Sequence, residues 1–297
     1  MPTRRRFLHQ AAAFASTGAL APIGQATLPR YKMGLQLYTI RDAMARDVAG
    51  TLKRIAALGY QEVETYGFDP EGIGHYKLPA REFAQMLGDH GLTSPSGHYD
   101  LNRFATASDD DLNRYVDRCI EGARLLGHSY ITWPFLDPPL RPLEPFSRVV
   151  ARFNGIGERI AKGGLQFAYH NHGFEFTEQD GRIPYDIVLR ETDSKLVKLQ
   201  VDLYWLSRDS KQTPRYWFER GPGRYVMWHV KDMHKVSRDY TELGNGSIDY
   251  TRIWPDAAFS GMKHFFVEQG GNFAQDSMQS VTDCAAYVKR VLLPPRP

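Results

Sequence analysis

Eight short β-like runs recur along the chain and alternate with helix-like segments. The β-like runs span residues 33–38, 62–66, 92–98, 130–133, 165–170, 197–202, 225–231 and 264–268. Apolar residues three and four apart predict helices at 48–58, 81–90, 110–126, 146–162 and 277–292. Strands that alternate with helices usually pair in parallel, and eight of them within about 270 residues predict an α/β fold with a single closed (β/α)8 TIM barrel.

Within the predicted strands, apolar and polar side chains alternate. Leu199 and Val201 alternate with Gln200 and Asp202, and the run around His229 repeats the pattern. Side chains two residues apart lie on the same face of a strand. In a barrel surrounded by helices the apolar set must face those helices, so the polar set points into the barrel. Polar side chains at the carboxyl ends of barrel strands are typical of an active site on this fold.

The first 26 residues have a composition of their own. Arg4 and Arg5 lie in a T-R-R-x-F-L stretch, which is followed by an acid-free, mildly apolar run up to Ala26. This stretch resembles a twin-arginine signal, which is read by an export machinery that passes folded proteins. We expect residues 1–26 to be a signal peptide, residues 27–297 to form the barrel, and the protein to be periplasmic or secreted. The alternative is a basic terminus without an export role.

Composition narrows the functional classes. A chain of 297 residues with 42% apolar content can bury a large core, either as one barrel or as two smaller domains. Without residues 1–26 it has 34 basic and 34 acidic side chains, so a basic surface for nucleic acid is not expected. No later apolar run reaches the roughly 18 residues of a membrane span. Cys119 and Cys284 are the only cysteines, and we expect both to be buried thiols.

Four predicted strand ends carry a potential metal ligand, namely His170, Asp202, His229 and Glu268. Two imidazoles and two carboxylates suit one divalent ion such as Mn²⁺, Zn²⁺, Fe²⁺ or Co²⁺. Each residue alone has an ordinary explanation, because strand histidines are often satisfied polar residues and Asp202 could cap a turn. Four such groups facing inward together would be costly to desolvate without a compensating cation. We therefore expect a metal site.

Several segments carry a family resemblance: "GLQLYTIRD", "YQEVETYG", "YHNHG", "VDLYW", "WHVKD" and "ELGNGSIDY". In these segments the chain, from Met33 to about Leu293, resembles the xylose isomerase-like TIM barrel superfamily of sugar phosphate isomerases and epimerases. That superfamily also contains inosose dehydratase and repair enzymes of the endonuclease IV type. The resemblance implies one divalent metal ion held by four residues, His170, Asp202, His229 and Glu268.

Two positions depart from the family patterns. Family epimerases have a glutamate in place of His170, which weakens the hypothesis of a two-glutamate epimerase. Repair endonucleases have a histidine in place of Trp205, which weakens the hypothesis of a three-metal phosphodiesterase. The "YHNHG" segment is more similar to dehydratase-like members. On that interpretation His170 is the ligand and His172 lies beside the substrate, although the two could exchange roles.

Further candidates surround this centre. Glu64 and His98 are expected near the substrate, with a surface salt bridge or ordinary packing as the alternatives. Lys231 would be a costly core residue, so we expect it to face an oxygen anion or a carboxylate. Four aromatic residues, which are as often core as binding platform, are candidates to carry sugar rings: Tyr38, Tyr99, Trp133 and Trp205.

Together these residues predict a divalent-metal-dependent sugar or keto-sugar isomerase, epimerase, lyase or dehydratase. The cation polarises a carbonyl, Glu268 or His172 removes the neighbouring proton, and Lys231 helps to stabilise the enediolate. We expect an unphosphorylated carbohydrate as substrate, and "GNGS" at 244–247 lacks the lysine of a nucleotide loop. The alternatives are a non-catalytic metal- and sugar-binding protein and, less favoured, an AP-endonuclease-type phosphodiesterase.

Overall fold

Eight strands form the barrel in the computed structural model, which describes residues 31–294. The predicted signal peptide lies outside the described residues. The strands are β1 (Met33–Gln36), β2 (Glu62–Thr65), β3 (Thr93–His98), β4 (Tyr130–Trp133), β5 (Gln166–His170), β6 (Val197–Asp202), β7 (Met227–Val230) and β8 (His264–Val267). All eight predicted runs are present, with differences of one or two residues at their ends.

The strands pair in sequence order and in parallel, so the barrel is built from consecutive β/α units. It closes between β1 and β8, where Met33 is paired with Phe265, while Gly34 pairs with Glu62 on the other side of β1. The predicted single (β/α)8 barrel is confirmed. Because parallel strands all run in one direction, their carboxyl-terminal side chains meet at the same end of the barrel.

Helices surround the barrel. Within residues 31–294 they are α1 (Arg41–Arg46), α2 (Val48–Ala57), α3 (Ala80–Asp89), α4 (Asp109–Leu126), α5 (Leu143–Ala151), α6 (Phe153–Lys162), α7 (Pro184–Glu191), α8 (Leu203–Asp209), α9 (Pro214–Arg220), α10 (Tyr250–Ile253), α11 (Ala257–Ser260) and α12 (Ser277–Tyr287). Two short ribbons extend the loops after β2 and β7, and they pair Gly74–His75 with Leu78–Pro79 and Asp232–Met233 with Tyr240–Thr241.

The helix predicted over 146–162 is wrong as a single element, because the structure contains α5 and α6 with a break at Arg152. The Arg152 guanidinium donates hydrogen bonds to the carbonyl oxygens of Phe104 and Ala105 at 3.0 and 2.9 Å, in the loop after β3. Its own N–H bonds to the Val149 carbonyl, three residues back, which tightens the chain locally. This break depends on a tertiary contact that apolar spacing cannot reveal.

The main core lies between the barrel wall and the helices. Leu199 and Val201 of β6 are fully buried there, as the alternation predicts. Inside the barrel a smaller apolar cluster fills one end, and it consists of Ala168, Val226, Met227 and Phe266. The inward-facing polar side chains therefore lie between this apolar cluster and the carboxyl ends of the strands.

The expectation for the two cysteines holds within residues 31–294. Cys119 and Cys284 are both buried free thiols. None of the helices there combines the length and the apolar character that crossing a membrane requires.

Gly157 is a position where α6 approaches neighbouring backbone closely. A Cβ atom at Gly157 would lie 2.7 Å from the carbonyl oxygen of Leu196, whereas one at Gly155, two residues earlier in α6, meets nothing within 4 Å. Alanine has the higher helix propensity, by roughly 1 kcal/mol, so Gly155→Ala should stabilise the protein slightly. Gly157→Ala should instead lower the free energy of unfolding by about 1–2 kcal/mol, since overpacking outweighs propensity.

Urea denaturation of both variants measures this difference directly. Equal stabilisation by the two alanines would contradict the close packing of α6 against the segment before β6.

Candidate active site

The four predicted metal ligands converge at the carboxyl end of the barrel. His170 and Asp202 are the last residues of β5 and β6, His229 lies in β7, and Glu268 directly follows β8. All four side chains are buried. Adjacent strands carry them, so the alternation seen in the sequence translates directly into proximity.

A buried carboxylate, Glu64 of β2, lies at the centre of this polar interior. One of its oxygens accepts hydrogen bonds from Ser96 Oγ and Gln200 Nε2, both at 2.6 Å. The other accepts from Gln36 Nε2 at 2.8 Å and from His229 Nε2 at 2.6 Å. Burial alone would raise the pKa of Glu64, but the neighbouring histidines outweigh it and hold the pKa well below its usual value. The side chain is therefore a permanent anion inside the barrel.

His229 bridges two carboxylates. Its Nε2 faces Glu64, and its Nδ1 is 2.7 Å from Oε2 of Glu268. Burial would lower the pKa of the imidazole, but the charges of Glu64 and Glu268 outweigh it and raise the pKa to about 9. Because Glu64 fixes the Nε2 side, Nδ1 is the nitrogen presented to Glu268.

Gln200 orients two further imidazoles. Its amide nitrogen is committed to Glu64, so its Oε1 acts as the acceptor for His98 Nε2 at 2.9 Å and His170 Nδ1 at 3.0 Å. The free Nε2 of His170 then faces Asp202, with 3.7 Å between the nitrogen and Oδ2. Burial and the neighbouring cationic groups lower the pKa of His170, so its imidazole is neutral.

Lys231 places an ammonium group between two of the predicted ligands. Its Nζ is 2.6 Å from Oδ2 of Asp202 and 2.7 Å from Oε2 of Glu268. Burial would lower the pKa of Lys231, but the two carboxylates outweigh it and raise the pKa. The other oxygen of Asp202 caps α8 by accepting a hydrogen bond from Trp205 N–H at 3.0 Å, so the turn-capping explanation also holds.

Ligand-capable atoms form two overlapping groups among the described residues, each within 4.8 Å. One contains Asp202, His229 and Glu268, and the other contains His98, His170 and His229. In the three-histidine group, Gln200 and Glu64 already engage a nitrogen of each ring. The acidic group instead surrounds the ammonium of Lys231, which is a cation of the protein's own. The donor set therefore fits a divalent ion at this point, with Nε2 of His170 nearby.

A cavity of about 570 Å³ opens above these groups. It is lined by Tyr38, Tyr66, Gly67, Phe68, His98, Asp100, Pro134, Phe135, His170, His172, Lys231 and Glu268. His172 is one of these lining residues, and its buried Nδ1 atom has no hydrogen-bond partner among the described residues. Burial, and after it the charge of Lys231, lowers the pKa of His172 to about 3, so the ring is neutral at physiological pH.

The other predicted site residues divide into two sets. Tyr38 and His98 line the cavity, whereas Glu64 lies beneath it and contacts the histidines instead. Three aromatic candidates lie outside the lining. Trp133 packs against Phe153 in the core, Tyr99 is buried with its hydroxyl on His128, and Trp205 lies behind His172 at 5.5 Å between ring centroids.

Three polar residues of the Glu64 network were not predicted from the sequence: Gln36, Ser96 and Gln200. Each is fully buried on an inward strand position. The signal was available for Gln200, which alternates with apolar neighbours in β6 in the same way as Asp202.

Comparisons with known proteins agree with the barrel architecture. The sequence model of the family described as "Xylose isomerase-like TIM barrel" matches residues 52–272, well over half of the chain. The chain belongs to the xylose isomerase-like TIM barrel family. A comparison with curated proteins found no match.

Solved structures of similar shape include a sugar phosphate isomerase/epimerase from Parabacteroides distasonis. It superposes with a TM-score of 0.76 and 25% identity, covering 89% of this chain and 95% of that chain. A probable 3-DHS dehydratase from Bacillus anthracis gives 0.68 with 12% identity, over 87% and 98% of the two chains. The IOLI protein with a bound zinc atom gives 0.68 with 14% identity, over 88% and 98%. The last two likenesses concern the fold alone.

Behind the cavity of this xylose isomerase-like barrel lies a second buried acid, Glu175, which the sequence analysis did not single out. Its two oxygens accept hydrogen bonds from the Tyr169 hydroxyl at 2.7 Å and from the His172 N–H at 3.0 Å. Burial raises the pKa of Glu175 to about 7, and the hydrogen bonds only partly oppose this. Glu175 therefore holds the backbone of the His172 loop and titrates near neutrality.

Because its pKa is raised on folding, Glu175 stabilises the protein most below about pH 4.5, and that contribution declines as the pH rises towards 7. Glu175→Gln keeps the hydrogen bonds of the protonated acid without the titration. The variant should therefore gain stability relative to the parent between pH 5 and pH 8, by an amount of order a few kcal/mol.

Chemical denaturation at several pH values measures this difference. Glu178→Gln, which removes an exposed carboxylate from the same loop, is the matched control. A stability difference between Glu175→Gln and the parent that stays constant from pH 5 to pH 8 would contradict the assignment.

Proposed function

We propose that this protein is a divalent-metal-dependent enzyme that isomerises, epimerises or eliminates a sugar or keto-sugar by removing a proton next to a carbonyl group. One observation carries the proposal. Oxygens of Asp202 and Glu268 hold the Lys231 ammonium at the base of a cavity, and nitrogens of His170 and His229 lie beside those same oxygens.

The charge balance of the cluster supports a bound cation. Three buried carboxylates, Glu64, Asp202 and Glu268, face two cationic groups, His229 and Lys231. One net negative charge therefore remains in a low-dielectric interior, where a cation is strongly attracted. We assign the ligands to His170 Nε2, Asp202 Oδ2, His229 Nδ1 and Glu268 Oε2, and binding of the ion would release the proton that His229 Nδ1 shares with Glu268.

A divalent ion held there supplies Lewis acidity, which polarises a carbonyl oxygen and lowers the pKa of the adjacent C–H. The remaining work falls to side chains of this chain. His172 lines the cavity, and its neutral imidazole, whose Nδ1 has no hydrogen-bond partner among the described residues, is suited to accept a proton. Lys231 lines the same cavity and can donate a hydrogen bond to a substrate oxygen that gains negative charge.

Elimination is slightly favoured over epimerisation. Family epimerases use two glutamates as proton acceptors on opposite sides of the substrate, and His170 replaces one of them in this chain. The Parabacteroides relative is named an isomerase/epimerase, which keeps both reactions in the proposal. The expected twin-arginine signal adds the proposal that the enzyme works in the periplasm or outside the cell.

Metal binding is the first test. Asp202→Asn should lower the affinity for Mn²⁺ or Zn²⁺ at least about tenfold, because it removes a charged ligand oxygen. Lys231→Met should raise it, because it removes the ammonium that competes for the same oxygens. Elemental analysis after dialysis, together with calorimetric titration, should give about one ion per parent chain.

Asp89→Asn, in the last turn of α3 at the opposite end of the barrel, serves as the control. Metal affinity that is unchanged in both site variants would overturn the proposed ligand set.

Proton transfer is the second test. The metal-loaded protein should wash deuterium from heavy water into a keto-sugar substrate, as followed by NMR. His172→Gln should slow this exchange about 10²-fold or more, within the usual range for general acid–base catalysis, while leaving metal content unchanged.

His90→Gln, which removes a histidine just beyond α3, should leave the exchange rate unaltered. Exchange that proceeds undiminished in His172→Gln would remove this histidine from the reaction. Absence of exchange by the parent across a panel of keto-sugars would favour a binding protein instead.

A further inference from the structure

Aromatic side chains form the outer wall of the cavity. Tyr38, Tyr66, Phe68 and Phe135 all line it, and Tyr38 and Tyr66 meet edge to face at 5.3 Å between ring centroids. Tyr38 is 41% exposed, so its ring is accessible from the entrance. Such a wall suits the apolar face of a sugar ring or an apolar group attached to it.

Charges in the cavity oppose a phosphate group. Among the described lining residues Lys231 alone carries a permanent positive charge, and its ammonium is already held by Asp202 and Glu268. Asp100, at the rim, adds a further carboxylate. A phosphate dianion in the outer cavity, away from the proposed metal site at its base, would therefore face a carboxylate and aromatic rings and no free cationic side chain of the described lining.

The glycine-rich loop after β7 offers backbone N–H groups that could cradle a phosphate, but Asp232 occupies them. One of its oxygens accepts from the N–H groups of Gly244 at 2.9 Å and Gly246 at 3.0 Å. The other accepts from Ile248 at 3.1 Å and Met233 at 2.8 Å. An anion-binding nest is thus present and filled by the chain's own carboxylate.

A carboxylate also occupies a backbone donor just beyond the loop after β8. Helix α12 begins beyond this loop, and the Asp276 side chain accepts the N–H of Gln279 at 2.8 Å at its first turn. In barrels of this fold the phosphate site commonly lies at the loops after the seventh and eighth strands. Here a side-chain carboxylate accepts four backbone N–H groups in and beside the loop after the seventh strand, and another accepts one at the start of α12.

A nearby arginine is also committed. Arg41 donates to the carbonyl oxygens of Tyr38 at 2.9 Å and Gly270 at 3.2 Å, and its guanidinium lies 4.3 Å from the centroid of the Tyr38 ring. Arg41 therefore holds the aromatic wall in place from outside the cavity lining.

From this combination of aromatic wall, occupied donors and rim acid, and resting on the proposed function, we infer that the substrate is an uncharged sugar carrying a second, apolar ring, and not a sugar phosphate. The cavity of about 570 Å³ falls in the range of roughly 300–1,000 Å³ that drug-sized ligands occupy. The inner part takes the reacting sugar, and the ring attached to it lies against Tyr38 and Phe135.

Calorimetric titration of the full-length protein tests this inference without requiring turnover. The probes are phenyl and methyl β-glycosides of glucose, galactose, mannose and xylose, the free hexoses, and the hexose 6-phosphates. In at least one sugar series the phenyl glycoside should bind at least about fivefold more tightly than the methyl glycoside. The 6-phosphates should bind no more tightly than the free hexoses, and inorganic phosphate should not displace the phenyl glycoside.

Substitutions at the exposed wall residue locate the effect. Tyr38→Ala should abolish the preference for the phenyl glycoside, whereas Tyr38→Phe, which keeps the ring, should retain it. Phe259→Ala is the matched control, because Phe259 is a similarly exposed ring beneath an arginine, Arg215, at 4.3 Å, in the helix that precedes β8.

Tighter binding of a 6-phosphate, displacement by phosphate, or no phenyl preference in any series would overturn the inference. The outcome is separable from the proposed function. Deuterium exchange confined to sugar phosphates would contradict the inferred substrate class and support the proposed proton transfer. Selective binding of a phenyl glycoside without exchange would support the substrate class and contradict the proton transfer.

Discussion

The buried charge of Glu64 is the constraint on which the rest of the interior depends. A carboxylate in the middle of a barrel is costly unless donors surround it, and here four side chains provide them. For two of these donors, the hydrogen bond to Glu64 also determines the role of a second atom in the same side chain. Gln200 must accept through its oxygen, and His229 must present Nδ1. A single anion thereby orients the nitrogen atoms that face the cation position.

The barrel and the inward set of candidate ligands were predictable, because both follow from the period of two along a strand and from the alternation of strands with helices. A period of two decides which side chains of a strand share a face, and parallel pairing brings successive strand ends together. His170, Asp202, His229 and Glu268 were accordingly expected at one place, and their donor atoms meet there. Lys231 was expected to oppose a carboxylate, and it opposes two.

What escaped prediction depends on contacts between distant segments. The break at Arg152 is set by two carbonyl oxygens in the loop after β3. Trp133 was a candidate platform because it ends a strand, yet its ring packs against Phe153 in the core. The wall residues Tyr66, Phe68 and Phe135 lie beyond strand ends, where backbone conformation, and not strand period, decides which side chain faces the cavity.

The construction of the aromatic wall has a consequence for how such a protein can diverge. Tyr66 and Phe68 follow β2, Asp100 follows β3 and Phe135 follows β4, so these four residues come from three separate β/α units. None of them takes part in the hydrogen bonds around Glu64. Point changes in these loops can therefore alter ligand preference while the ionic centre keeps its geometry. Natural variation, or a library that randomises only the loops after β2, β3 and β4, can therefore change substrate specificity without altering the buried charged residues beneath them.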